Sequence, residues 1–136
     1  MSHGAEQDAL AAVDAAVAHR VAETLQALAA PSRVRILCRL AAHGPTSVNE
    51  LAAAVGMESS AVSHQLRVLR HLGLVRGRRD GRRVTYGLFD DHVARFLAEA
   101  VGHVEHVRQA GAEPAPSATE PHHRPPDRRP PLRRPT

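Results

Sequence analysis

Lysine and tryptophan are absent from this chain of 136 residues, and cysteine occurs once, as Cys38. A single cysteine excludes an internal disulfide, a cysteine-rich zinc module and a thiolate trap for soft metals within one chain. Aromatic residues are limited to Tyr86, Phe89 and Phe96, so any core must be built from Ala, Leu and Val. No run of 18 apolar residues and no basic-then-apolar leader is present, which predicts a cytoplasmic protein with no membrane contact. Also missing are a nucleophile–base arrangement, a phosphate-binding loop and a catalytic carboxylate pair. These absences argue against an enzyme.

What is present is unevenly distributed. Eight of the ten prolines lie between Pro114 and Pro135, so the folded body is expected to end near Gly111. The expected division is a flexible N-terminal arm over 1–7, one small domain over 8–111 and a disordered Pro/Arg-rich tail over 112–136. The formal net charge is +4, all of its cations arginine, and half of that excess belongs to the tail.

Within the body, Leu10, Val13, Val17, Val21, Leu25 and Leu28 recur at steps of three and four, predicting one helix from Asp8 to Ala29. Pro31 suits a first helical turn, and Val34, Ile36, Leu37 and Leu40 continue a second helix to Gly44-Pro45. Ser47 followed by Glu50 is a capping box that opens a short helix over Val48 to Val55, stopped by Gly56. A helix from Ser59 to Leu72 follows, with Val62, Leu66, Leu69 and Leu72 inward. A short helix, a Gly-containing turn and a second helix make a helix-turn-helix. Strands over Leu74 to Arg79 and Arg82 to Leu88, turned at Asp80-Gly81, form a hairpin. A last helix spans Asp91 to Ala110. The prediction is a mainly α fold with a β-hairpin wing: five helices and two strands. Cys38, between Leu37 and Leu40, is expected in the core.

The helix after the turn should expose Ser59, Ser60, Ser63, His64, Arg67 and Arg70, with Gln65 near the edge. Short hydroxyls in a first helical turn suit phosphate, because backbone N–H groups point the same way. Gln and Arg suit base edges. From Glu58 to Phe89 the chain carries seven Arg against two acids. Arg76, Arg78, Arg79, Arg82 and Arg83 crowd the hairpin, where they suit phosphates or the minor groove. The order helix-turn-helix then basic wing points to double-stranded DNA as partner.

Histidine is plentiful, with ten in the chain, and its placement is informative. Asp90 and His92 open the last helix, while His103 and His106 lie near its end. His92, His103 and His106 share a face, because eleven residues are close to three whole turns. Eleven residues also span about 16 Å, so one helix cannot bring both ends to one ion. An antiparallel second copy removes the difficulty by bringing the His92 end of one chain to the His103 end of the other. The homodimer then carries two identical sites, and its two-fold symmetry suits a palindromic operator. Blander roles exist for the same residues: Asp90 or Asp91 as a helix cap, and His103 and His106 as dipole-favoured surface groups.

The segments Ala30-Pro31-Ser32-Arg33, Ser60 to Arg70 and Asp80-Gly81-Arg82 resemble the ArsR/SmtB family of metal-sensing winged-helix repressors, over about Val21 to Val107. The resemblance implies that Asp90, His92, His103 and His106 are metal ligands. It disfavours the soft-metal sensors, which carry cysteines where this chain reads Ser47 to Ala52. The nickel/cobalt-sensing branch is nearest, implying Ni2+ or Co2+ as effector, with His3 of the N-terminal arm as a further ligand. Arg108 stands where that branch offers another histidine; His122 and His123 are substitutes. By the same analogy a ligand imidazole hydrogen-bonds a backbone carbonyl near Gly73. The alternatives are Zn2+ on the quartet alone, or a metal-independent regulator working with a protein co-regulator.

Overall fold

The computed structural model describes residues 3–111. Six helices and a three-stranded antiparallel sheet follow one another as α1 (His3–Ala11), α2 (Ala15–Leu28), α3 (Pro31–His43), β1 (Thr46–Ser47), α4 (Val48–Val55), α5 (Ser59–His71), β2 (Val75–Asp80), β3 (Arg83–Leu88) and α6 (Asp91–Gln109). The winged helix-turn-helix class is as expected, with one more helix and one more strand.

The extra helix arises because the single helix expected over Asp8 to Ala29 is broken. Asp14 takes an extended conformation, and its side chain accepts from the Val17 N–H at 2.9 Å, capping α2 anew. The apolar repeat runs through this break, so periodicity alone does not reveal it. Residues of the expected flexible arm form the start of α1, a helix that buries none of its side chains. The tail expected over 112–136 lies outside the described residues.

The extra strand, β1, has only two residues, too few for a period. Thr46 is buried, its hydroxyl donates to the Gly44 carbonyl at 2.8 Å, and β1 pairs with β3 through Thr46↔Tyr86 and Ser47↔Thr85. The sheet order is β1-β3-β2. In the hairpin Asp80 pairs with Arg83, so the two-residue turn is Gly81-Arg82, one residue later than expected. Gly81 sits at φ 61, which a primed hairpin turn requires at its first central position.

The core is aliphatic. Ile36, Leu37 and Leu40 of α3 meet Leu51 and Val55 of α4, Val62, Leu66 and Leu69 of α5, and Leu74, Val75 and Leu97. Cys38 is half-buried against this cluster, at its edge and not inside it. Gly73 ends α5 at φ 71, with the Gly73 N–H bonded to the Arg70 carbonyl and the Leu74 N–H to the Leu69 carbonyl. This left-handed stop reverses the chain so that the wing begins immediately behind α5. Outside the core, α2 and α6 leave large apolar side chains in solvent: Val21, Leu25, Phe96, Val101 and Val104 are each about half exposed or more. Among the described residues no helix is long and apolar enough to cross a membrane.

Candidate DNA-facing surface and metal-ligating residues

The outer side of α5 and the wing form one continuous basic surface. Ser60, Ser63, His64, Arg67 and Arg70 of α5 are exposed, as are Arg78, Arg79 and Arg82 of the hairpin. Ser63, Arg67, Arg70, His71 and Tyr86 line a groove of about 670 Å³ where helix and wing meet. Tyr86 reaches it because Gly77 stands opposite in the register; a Cβ there would lie 3.2 Å from the tyrosine ring. Arg70 also borders a second groove with Arg76, Arg79 and Phe89, and the Arg76 guanidinium lies 4.4 Å from the Phe89 ring centroid. That stacking orients a cation at the base of the wing.

Three side chains expected at this surface are engaged within the chain. Gln65 does not reach the exposed side of α5: at 100° per residue it lies about 160° around the axis from Arg67. Its Oε1 accepts from Arg33 Nε at 2.6 Å in a partly buried setting. Arg83 donates to Glu50 Oε1 and so ties the wing to α4. Glu50 was expected to complete a capping box; Ser47 accepts from the Glu50 N–H at 3.3 Å, but the Glu50 carboxylate goes to the wing. Ser59 donates to Asn49 Oδ1 at 2.9 Å, fastening the first turn of α5 to α4. Arg33, Asn49 and Glu50 therefore matter to the placement of this surface, and the sequence assigned none of them such a contact. Contacts between residues 33 and 65, or 50 and 83, leave no mark in local periodicity.

At the start of α6 the structure shows Asp90 as the helix cap. Asp90 Oδ1 accepts from the His92 N–H at 3.0 Å and the Val93 N–H at 3.3 Å. Its Oδ2 lies 3.5 Å from His92 Nδ1. Capping thus holds a second carboxylate oxygen beside the imidazole, and the His92 side chain is 82% exposed. His103 and His106 are exposed near the other end of the same helix. Arg108, between that end and the tail, is paired with Glu105 at 2.9 Å. Among the described residues of one chain, no three potential ligands converge. His3 and Glu6 of α1 border one open groove with His92, Arg95 and Glu99 of α6. His122 and His123 lie outside the described residues.

The α2–α6 side carries a separate apolar groove of about 400 Å³, lined by Val17, Val21, Leu25, Leu28, Val93 and Phe96. His92 and Leu74 also border it, so His92 sits at the rim of the apolar face.

Comparison with known proteins places this arrangement. The model for "Bacterial regulatory protein, arsR family" matches residues 30–76, from the first turn of α3 into β2. The HTH-type transcriptional regulator NmtR of Mycobacterium tuberculosis is 53% identical over 120 residues, covering 87% of this chain and 99% of NmtR. The solution structure of apo-NmtR superimposes with a TM-score of 0.64 at 55% identity, covering 79% of this chain and 89% of that one. The homodimeric winged helix-turn-helix DNA-binding domain of an ArsR-family protein from Mycobacterium bovis gives a TM-score of 0.63 at 36% identity, covering 71% of this chain and 88% of that one. With a match running almost the full length of NmtR and the same architecture beneath it, the chain belongs to the arsR family of bacterial regulatory proteins.

Proposed function

We propose that the chain is a metal-responsive transcriptional repressor, binding a palindromic operator as a homodimer and losing DNA affinity on binding nickel or cobalt. Ser60, Ser63 and His64 contact phosphates and base edges from α5, Arg67 and Arg70 reach into the groove, and Arg78, Arg79 and Arg82 hold the flanking backbone. Two copies join through the apolar faces of α2 and α6. This burial brings the Asp90–His92 end of one α6 to the His103–His106 end of the other. The related winged helix-turn-helix domain of Mycobacterium bovis is homodimeric, which supports assembly in pairs.

The observation that carries the metal reading is the Asp90 Oδ2 held 3.5 Å from His92 Nδ1 by the cap of α6, with His3 bordering an open groove that His92 also lines. Four nitrogen and oxygen donors from the quartet satisfy zinc. Nickel and cobalt take six more readily, and His3 supplies a fifth protein donor. The donor set is imidazole and carboxylate throughout, which suits these metals and not thiophilic ones. Equilibrium dialysis with nickel, cobalt and zinc, on wild type and His103→Ala, tests this reading. Wild type should bind nickel and cobalt, and His103→Ala should lose most of that affinity. Equal binding by both proteins would refute the site.

A further inference from the structure

Arg33 stands at the crossing of three helices. It belongs to the first turn of α3, its Nη1 donates to the Ala27 carbonyl of α2 at 3.0 Å, and its Nε donates to Gln65 Oε1 of α5 at 2.6 Å. Both hydrogen bonds are partly buried. Ala27 is the one buried residue of α2 and is followed directly by Leu28, which borders the apolar groove shared with Val93, Phe96 and His92. Gln65 lies one residue from the core side chain Leu66 and two from the exposed Arg67. One guanidinium therefore links the helix that borders the α6 groove to the helix that carries the basic surface.

We propose that Arg33 and Gln65 are positioning residues that couple α2 to α5. Through them a shift of α2 against α6 changes the presentation of Arg67 and Arg70. The inference rests on the proposed metal-responsive function and names the route inside one protomer. A guanidinium suits the role because its planar fork holds two acceptors in a fixed relation, where an ammonium cannot. The only atom of Gln65 engaged is its oxygen, so a carboxylate of the same length should serve as well, and a thioether should not.

The test uses full-length protein, nickel chloride and a duplex selected from a random-sequence pool by the wild type. DNA affinity is measured by fluorescence anisotropy with and without nickel, and the ratio of the two affinities is the readout. Coupling of this kind is usually about 5- to 150-fold. Gln65→Met and Arg33→Lys should bring the ratio to about twofold or less, while nickel affinity, dimerisation and the circular dichroism spectrum stay those of wild type. Gln65→Glu should keep the wild-type ratio. A purely structural link predicts something else: DNA affinity falls equally with and without nickel, and the ratio is preserved. A preserved ratio in Gln65→Met, with wild type responding to nickel, overturns this inference and leaves the proposed function standing. A wild type whose DNA affinity ignores nickel overturns both.

Discussion

Single side chains on the wing divide by what they are already bonded to. Arg82 is exposed in the turn, whereas Arg83, one residue on, spends its charge on Glu50 of α4. An exposed pair of this kind adds about 0–1 kcal/mol to stability, so its role is the angle of the wing. Salt dependence of DNA binding should separate the two. Arg82→Ala is expected to reduce the slope of log affinity against log salt by about 0.9, the loss of one phosphate contact. Arg83→Ala should leave the slope close to wild type, because Glu50 already neutralises that charge. Fluorescence titrations across a salt series check both, and equal slope changes would place Arg83 on DNA. Gln65 shows the limit of reading residue types: its chemistry suits a base edge, but its angular position on α5 gives it to Arg33.

At the scale of elements, the helices that carry the core were readable because each has caps and an aliphatic period. Pro31, Ser47, Gly56 and Gly73 mark starts and stops that the structure keeps within a residue or two. What escaped was set by contacts between distant residues or by competition at one position. β1 exists only because β3 offers it partners, and Asp14 interrupts an apolar stripe that otherwise runs on. The placement of Asp90, His92, His103 and His106 at the two ends of α6 was legible from spacing; that His3 borders the same groove as His92 was not, because it depends on where α1 sits relative to α6. Two expectations follow. Mixing an Asp90→Ala/His92→Ala chain with a His103→Ala/His106→Ala chain should restore one metal site per heterodimer, read by nickel dialysis. No binding by a folded, mixed dimer would rule out the cross-chain geometry. Deleting Ser2-His3-Gly4 should lower nickel and cobalt affinity and leave zinc nearly unchanged. Cobalt absorption should then move from weak six-coordinate bands toward stronger four- or five-coordinate ones. An unchanged spectrum would remove His3 from the ligand set.

As a whole, the molecule pairs a small aliphatic core with a broad apolar flank on α2 and α6. A domain of about 110 residues buries a limited fraction of its surface, and here Phe96, Val101 and Val104 contribute nothing to the protomer's own core. Stability should therefore depend on concentration: the thermal midpoint is expected to rise as the protein is concentrated, since association favours the folded form by mass action. Calorimetry over a hundredfold concentration range checks this, and a constant midpoint would mean that the flank stays unpaired. The wing carries one more consequence. With no tryptophan and one tyrosine in 136 residues, the emission excited beyond the absorption band of phenylalanine originates at Tyr86. That ring borders the groove with Ser63, Arg67 and Arg70, so the protein contains its own optical probe at the junction of helix and wing. DNA binding at this junction is expected to change that emission, with no dye, label or substitution needed.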